Sequence, residues 1–400
     1  MTNQITRRVS RGREVATLAT KPDPAAPLDL QGVDVDAFLA DLRALREEID
    51  ATLGERDLAH LRKLERLGRA ATFLGLATAW IAPNPLSMLA LSFGRSVGWI
   101  FMHHVGHRGY DKVPGVPHRL TSKGFARGRR RFLDWPDWMI PEAWIYEHNV
   151  LHHSHVGEER DPDLVERNTE WLRTSKLPMP IKYVIMGLLG ISWKAVYYAP
   201  STLRVWRARF DRTTATEVAA RARKGDRREL WLRCVLPYSA FQFVALPALF
   251  SPLGWWAAAS TCINSLGAEA LTNLHTFAVV GPNHTGDDLY RFSNPPSSTG
   301  EWLLRQVVGS ANYACGSEAV DTLHLYLNYQ IEHHLWPDLP MLRYREVQPK
   351  VKALCQKHGI PYVQESVFTR VRKMLDVAVG RTSMRTASGV ALRMQRDSAA

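Results

Sequence analysis

Histidines are concentrated in three short, widely separated segments of this 400-residue chain. Nine of the fifteen histidines lie in them. The segments read His103-His104-Val105-Gly106-His107, His148-Asn149-Val150-Leu151-His152-His153-Ser154-His155 and Gln330-Ile331-Glu332-His333-His334. Neutral imidazole is the commonest side-chain metal ligand, so this clustering favours a metal site. Because the segments lie far apart in sequence, only a fold that brings them together can use them jointly.

Two of these segments contain histidines four residues apart. His103 and His107 form one such pair, and His148 and His152 form the other. On a helix, residues with this spacing lie one turn apart on the same face, so each pair can bind a single metal ion. The intervening His104 points about 100° away from its neighbours and is expected beside the site or at the surface.

The second and third segments each contain a histidine doublet. His153 follows His152, and His333 and His334 are adjacent. Neighbouring residues of a helix point in different directions, so a doublet can flank two adjacent metal ions. Seven imidazoles exceed the three or four protein ligands of one tetrahedral zinc ion, which favours two metals. A nitrogen-rich site with open positions suits iron or copper redox chemistry, and iron can activate dioxygen.

Two further histidines and several polar residues are candidates for the same site. His275 and His284 follow the last apolar segment and are expected as additional ligands. Gln330 is expected to orient a water or a ligand, because an amide oxygen binds metals less well than imidazole does. Nearby carboxylates are expected to hold imidazole N–H groups in one tautomer; these are Glu147, Asp161, Asp163 and Glu332. The other histidines are expected in the core (His324), beside the ligands (His155) or at the surface (His60, His118 and His358).

An apolar segment that ends before the first histidine pair carries a turn in its middle. Residues 70–93 contain no charged side chain, but Pro83-Asn84-Pro85 interrupts them. Proline and asparagine in this order are a strong turn signal. The pattern therefore favours a hairpin of two helices, 67–82 and 85–102, over a single membrane span.

A second apolar region has the same arrangement. Residues 231–250 and 252–272 are mostly apolar, with Arg233 near the start, and Ser251-Pro252-Leu253-Gly254 provides the turn between them. A weaker apolar run at 181–200 is expected to form one helix at the membrane interface. The sequence thus predicts an all-α integral membrane protein with four transmembrane helices in two hairpins.

Charge placement predicts the orientation of these hairpins. Neither hairpin tip is charged, whereas residues 103–229 carry 23 Lys or Arg side chains. The positive-inside tendency then places both termini and every histidine segment on the cytoplasmic side. A net charge of +12 suits nucleic acid or an anionic membrane surface, and the apolar segments favour the membrane over nucleic acid. The four cysteines lack paired spacing, which argues against a disulfide framework or a thiolate zinc site.

Composition also divides the chain into segments. Residues 1–30 are basic and expected to be disordered, and they lack the apolar run of a cleaved signal peptide. Leucines at helical spacing predict amphipathic helices over 31–66. The domain with the apolar hairpins and the histidines is expected to span 67–378, followed by a flexible tail at 379–400.

The three histidine segments resemble the histidine boxes of the membrane fatty acid desaturase superfamily. The first box is similar to His103-x-x-x-His107. The second box is similar to His148-x-x-x-His152-His153, and the element Asp161-Pro162-Asp163 follows it in the chain. The glutamine-initiated third box of front-end desaturases is similar to Asn328-Tyr329-Gln330-Ile331-Glu332-His333-His334-Leu335-Trp336-Pro337. The resemblance covers about 70–375 and implies four membrane helices capped by a cytosolic helical domain that holds two irons. It also implies a His or Asn ligand near the end of the fourth helix, where His275 or Asn273 fits.

The resemblance implies a dioxygen-dependent enzyme that removes two hydrogens from a fatty acyl chain and leaves a double bond. The chain would be carried by a lipid, coenzyme A or an acyl carrier protein. No His-Pro-Gly-Gly motif of a fused haem-cytochrome domain occurs, so electrons are expected from a separate ferredoxin or a small cytochrome with its reductase. Hydroxylation of the same chain and hydrolysis by a zinc-dependent membrane lipid hydrolase stay open as alternatives. A metal transporter is disfavoured because its ligands should lie near the bilayer midplane.

Overall fold

A computed structural model describes residues 33–208 and 224–387, and these residues are mostly helical. The main helices are α1 (Val35–Asp50), α2 (Glu55–Ala79), α3 (Pro85–Gly106), α4 (141–155), α5 (Met179–Gly190), α6 (Lys194–Ala208), α7 (224–248), α8 (Trp255–Val280), α9 (Thr299–Val308), α10 (Gln330–Leu335), α11 (Met341–Lys357) and α12 (Val367–Ala378). Single helical turns lie at Arg131–Asp134, Val165–Asn168, Glu170–Arg173 and Glu318–Leu323. Tighter 3-10 turns lie at His118–Leu120, Gly128–Arg130, Ser251–Leu253, Gly281–His284 and Leu327–Tyr329.

Short strands join segments that are distant in sequence. They are β1 (Tyr290–Phe292), β2 (Ala311–Asn312), β3 (Val363–Gln364) and β4 (Arg385–Ala387). β1 pairs in parallel with β4, and β2 pairs in parallel with β3. Val379 is fully buried and β4 is paired, so residues 379–387 are packed against the protein. The prediction of a flexible tail from 379 onward is wrong for these residues, and the rest of that tail, like the predicted disorder at 1–30, lies outside the described residues.

The first predicted hairpin is formed by α2 and α3. A Cβ atom at Gly68 would lie 2.7 Å from Val97, and one at Gly75 would lie 2.6 Å from Leu91. These pairings run in opposite directions along the two helices, which are therefore antiparallel. Small residues that let two backbones approach are typical of membrane helix pairs. Asn84 ends the turn and caps α3 through its side chain, as the Pro-Asn-Pro motif suggests.

The second predicted hairpin is formed by α7 and α8. Among the described residues, Arg227–Leu253 is the single helix that is long and apolar enough to cross a membrane by itself. The segments α5 and α6 form a second candidate that is bent by 84°. The single interfacial helix predicted over 181–200 is therefore wrong, because two helices meet there at a sharp angle. The arrangement of four spans stays a prediction.

A buried network of charges joins the two hairpins. Glu269 of α8 accepts hydrogen bonds from Arg95 of α3 (3.1 Å), from Trp138 (2.7 Å) and from the hydroxyl of Tyr238 on α7. Several donors on one carboxylate offset the cost of burying its charge. Arg95 also donates to the backbone and side chain of Ser265, so its guanidinium is paired within the helices.

A buried arginine holds α12 against the segment that follows α8. Arg370 is fully buried and donates to both carboxylate oxygens of Asp288 (2.6 and 2.8 Å) and to the carbonyl of Thr285 (2.9 Å). His284 is the residue immediately before Thr285. The ion pair therefore fixes the backbone that carries a candidate ligand.

Replacing this arginine should destabilise the protein. In Arg370→Met, the partly buried Asp288 loses its bidentate partner but keeps Lys373 at 2.7 Å, and loss of the arginine should cost about 1–3 kcal/mol. Thermal unfolding of the purified protein in detergent measures the loss. Arg372→Met, at an exposed position on the same helix, is the matched control and should unfold like the wild type. Equal unfolding midpoints for the two variants would contradict the structural role of Arg370.

Candidate metal centre

Residues from all three histidine segments meet in one buried group. The group consists of His103 and His107 at the end of α3, His148 of α4 and His333 of α10, with one nitrogen of each within 4.8 Å of the others. The Nε2 atoms of His103 and His333 lie only 2.9 Å apart. Four nitrogens directed at one small volume form the arrangement that a metal ion requires.

A second group lies next to the first. It consists of His152 of α4, His284 of the turn after α8 and His334 of α10, whose nitrogens also lie within 4.8 Å of one another. His153 is placed between the groups, because its ring lies 4.3 Å from that of His107 and stacks on that of His334 at 4.1 Å. The eight rings therefore outline two neighbouring positions for metal ions.

The helix that carries the second histidine segment is locally widened. Tyr146–His152 is wound as a π-helix, a rare conformation that occurs often at functional sites. His148 belongs to the first group and His152 to the second, and the two also form a group with Asp163. The pair that was expected to bind one ion thus spans both positions.

Side-chain acceptors hold two rings of the second group. Nδ1 of His152 lies 2.9 Å from a carboxylate oxygen of Asp161, and Nδ1 of His334 lies 3.0 Å from the amide oxygen of Gln306 on α9. An acceptor at Nδ1 keeps the hydrogen on that nitrogen and leaves the lone pair of Nε2 free for a metal. Asp161 is thus placed where the sequence predicted it, against an imidazole.

Two further rings are oriented in the same way. Nδ1 of His333 lies 3.1 Å from the hydroxyl of Tyr344, which in turn donates to the carbonyl of Trp336. Nδ1 of His284 lies 3.2 Å from the carbonyl of Gly309. Both contacts again leave the lone pair on Nε2. In His284 that nitrogen faces the amide nitrogen of Gln330 at 2.9 Å.

The buried rings fit metal ions chemically. Buried nitrogens without a hydrogen-bond partner among the described residues are Nε2 of His107, both nitrogens of His148 and of His153, and Nε2 of His334. Burial and then the neighbouring imidazoles lower the pKa of His148, His153 and His334 well below its usual range. Neutral rings with unused lone pairs are suited to bind divalent metals.

The carboxylates near the site have different roles. Burial and then the charges of Asp163 and Asp161 raise the pKa of Glu147 well above its usual range. Glu332 was expected to contact an imidazole, but it accepts hydrogen bonds from Asn312 (2.8 Å) and Tyr362 (2.6 Å) instead. Burial raises the pKa of Glu332 to about 7. Glu332 therefore faces β2 and not the metal centre.

Some sequence-predicted site residues lie elsewhere. His275 contacts the hydroxyl of Ser96 (3.1 Å) and the carbonyl of Leu323 (2.7 Å), so both of its nitrogens are engaged outside the two groups. Asn273 binds Glu269 and the backbone of α6. Of the two expected ligands after the last apolar segment, the structure thus brings His284 to the centre and leaves His275 out.

Other expectations for isolated residues also change. His60, expected at the surface, is buried with Nε2 2.6 Å from the hydroxyl of Tyr326. His104, expected beside the site or at the surface, is fully buried. Gln330, expected to orient a water or a ligand, places its amide nitrogen 2.9 Å from Nε2 of His284. Gln306 and Tyr344 were not predicted, because a lone buried glutamine or tyrosine has no recognisable spacing in the sequence.

An apolar cavity of about 290 Å³ adjoins the metal centre. One end is lined by rings of both groups, namely His103, His148, His152 and His284. The remaining walls come mainly from α5, α6, α8 and α12 and include Met186, Trp193, Val196, Phe277 and Met374. Trp171 and Val196 are about three-fifths exposed, so they lie where the cavity reaches the surface. The cavity can hold an apolar chain against the candidate metal positions.

Metal content should distinguish His284 from His275. His284→Ala removes one nitrogen of the second group and should lower the metal bound per chain. His275→Ala should leave metal content unchanged, because that ring lies outside both groups. Elemental analysis of the purified variants by mass spectrometry measures both. A loss in His275→Ala equal to that in His284→Ala would contradict the assignment.

The contact between Asp161 and His152 should affect metal affinity. Asp161→Asn keeps the side-chain shape but removes the negative charge that holds the imidazole hydrogen, and such changes cost about 10–100-fold in metal affinity. Competition with a chelator measures the affinity. Glu159→Gln, a charge change at an exposed position two residues earlier, is the control. Equal affinities in the two variants would show that the Asp161 contact is dispensable.

Comparison with known proteins identifies the family. Residues 78–366 match the family described as fatty acid desaturase. The chain is 25% identical to the NADPH-dependent stearoyl-CoA 9-desaturase of Mycobacterium tuberculosis, over 86% of this chain and 79% of the relative. It is 24% identical to fatty acid desaturase 3 of Bos taurus (83% and 70% covered) and 27% identical to the acyl-lipid (7-3)-desaturase of Rebecca salina (66% and 58% covered). The chain therefore belongs to the fatty acid desaturase family of oxidoreductases.

Proposed function

We propose that the protein catalyses the dioxygen-dependent desaturation of a fatty acyl chain at two iron ions. The convergence of eight imidazoles, seven buried and one (His284) partly buried, beside an apolar cavity supports this proposal most directly. The proposed ligands are His103, His107, His148, His152, His153, His284, His333 and His334. When bound, iron supplies the activation of dioxygen and the removal of hydrogen from an unactivated methylene, which no acid or base side chain can perform.

The protein itself positions the chain and the ligands. The walls formed by Met186, Phe277 and Met374 bind methylene groups and exclude water from the histidine-lined end. Asp161 and Gln306 hold two rings with their Nε2 atoms directed inward. The ligand set is thus preorganised, and the substrate can adopt few positions relative to it.

The membrane arrangement and the partners form part of the proposal. Large apolar side chains are exposed on α7 and at the start of α8, for example Val244, Leu249 and Trp255, which suits contact with lipid. We place the two hairpins in the membrane and the histidines on the cytoplasmic side. A separate ferredoxin or small cytochrome with its reductase supplies electrons. The names of the relatives state both a coenzyme A carrier and a lipid carrier, so both are candidates for this chain.

Product analysis tests the proposed reaction. The protein should be expressed in a host of known lipid composition, and the double bonds of the total acyl chains should be mapped by mass spectrometry. Desaturation predicts a new double bond and the loss of two hydrogens. A gain of one oxygen would indicate a hydroxylase. One zinc per chain, with activity that survives without oxygen or reductant, would indicate a hydrolase.

A histidine variant links the product to the site. His152→Ala should abolish formation of the new double bond and leave the protein in the membrane, because the ring is buried within the second group and touches neither hairpin tip. His118→Ala, at an exposed position, should retain wild-type product. Lipid analysis and immunoblotting of membrane fractions measure both effects. A wild-type amount of product from His152→Ala would contradict the proposed metal centre.

A further inference from the structure

A second cavity, of about 600 Å³, lies between α2, α3 and α7. We call it the lateral groove. It shares no lining residue with the cavity at the metal centre. Its walls are mostly apolar and include Phe73, Leu76, Leu91, Phe241 and Leu246. Phe73 and Phe241 are 76% and 45% exposed, so the groove is open along one side.

Among the described residues, no neighbouring atom requires one glycine of the groove, Gly98, to lack a side chain. A Cβ atom at Gly68 or Gly75 would collide with the neighbouring helix, whereas a Cβ at Gly98 would meet nothing within 4 Å. Glycine inside a helix costs about 0.5–1 kcal/mol relative to alanine. Gly98 lies within α3 and lines the groove, so its missing side chain enlarges the open space. That space suits a ligand that lies along α3.

The length of the groove matches one leaflet of a membrane. On α2 its lining extends from Glu65 to Leu76. At 1.5 Å per residue, this stretch is about 16 Å long. The hydrocarbon core of a bilayer is about 30 Å thick, so the groove corresponds to about half of it. A single acyl chain of a lipid in one leaflet fits this length.

Arginines surround the end of the groove that lies next to Glu65. Arg119 donates to both oxygens of Glu65 on α2 (2.9 and 3.0 Å), and Arg131 donates to the carbonyl of Arg233 on α7 (2.6 Å). The loop between them therefore crosses from one wall to the other. It contains four arginines within Arg127-Gly128-Arg129-Arg130-Arg131.

Apolar side chains follow these arginines directly. Phe132 and Leu133 line the groove and are 54% and 80% exposed. Of the nearby carboxylates, Glu65 binds Arg119 and Asp134 binds Arg130 in bidentate pairs. The remaining cationic groups leave this end positively charged. Positive charge beside exposed apolar side chains is typical of a surface that binds anionic lipid.

We propose that the lateral groove binds one anionic phospholipid, with an acyl chain along Gly98 and the head group at the arginines of the 127–131 loop. The site is separate from the proposed metal centre and requires neither metal nor substrate. The bound lipid would fill the space between the two hairpins.

Native mass spectrometry of the full-length protein in mild detergent tests this proposal. The probes are phosphatidylglycerol and phosphatidylcholine with identical acyl chains. The wild type should retain one phosphatidylglycerol per chain and prefer it by about tenfold over phosphatidylcholine, since each basic residue near a membrane surface contributes about fivefold. Equal binding of the two lipids would overturn the proposal.

Two glycine variants test the location. Gly98→Leu should reduce retention of phosphatidylglycerol by about tenfold, because its side chain occupies the groove. Gly187→Leu is the matched control and should bind like the wild type, since a Cβ there also meets nothing within 4 Å but lies on an exposed face of α5. Retention by Gly98→Leu at the wild-type level would overturn the proposal.

A charge variant keeps the test decisive if Gly98→Leu fails to fold. Arg129→Gln changes an exposed residue and leaves the groove walls intact. It should reduce the preference for phosphatidylglycerol about fivefold. An unchanged preference would overturn the assignment of the head group. Because each measurement reads lipid binding and not turnover, failure of the proposed desaturase activity would leave these outcomes unaffected.

Discussion

Eight imidazoles gathered in one small volume, seven of them buried and His284 partly buried, impose the strongest physical constraint on this protein. Burial disfavours the charged form of each ring, and every neutral ring still carries one N–H donor and one lone pair that water no longer satisfies. The Nε2 atoms of His103 and His333, 2.9 Å apart, cannot both present lone pairs at this distance without repulsion. A cation between such atoms removes the repulsion. Metal binding should therefore contribute to the stability of the fold.

The constraint explains why the helices after α8 surround the site. The acceptors for the imidazole hydrogens come from α9 (Gln306), from α11 (Tyr344) and from the backbone at Gly309. The buried carboxylate of Asp321 also accepts hydrogen bonds from Asn328 and Arg345, which ties the segment before α10 to α11. The C-terminal helices thus orient ligands that lie on other elements.

Local sequence signals predicted much of the fold and most of the histidines that converge in it. The Pro-Asn-Pro and Ser-Pro-Leu-Gly turns located both hairpins, because turn chemistry acts within a few residues. The choice between His275 and His284 depended on where α8 ends. The apolar pattern suggested an end at Thr272, but the helix continues to Val280, so His275 remains on its surface and His284 follows its end.

Longer-range geometry was not encoded in such signals. The 84° bend between α5 and α6 and the π-helical turn of α4 depend on packing against other elements. Glu332 directly precedes His333 on a helix. Consecutive helical residues point about 100° apart, so Glu332 is directed away from the centre and toward Asn312. Proximity in sequence therefore identified the converging histidines better than it identified the side chains that contact them.

The cavity connects this site to its proposed chemistry. Its histidine-lined end is polar, and its other walls are mainly apolar, so a methylene chain can enter with little loss of hydrogen bonding while water is disfavoured. If an acyl chain enters the cavity at Trp171 and Val196, the distance from this opening to His148 determines which carbon of the chain lies beside the rings. The regiochemistry would then depend on the walls between these points and not on the ligands. Members of one family could share the same histidines and still place the double bond differently.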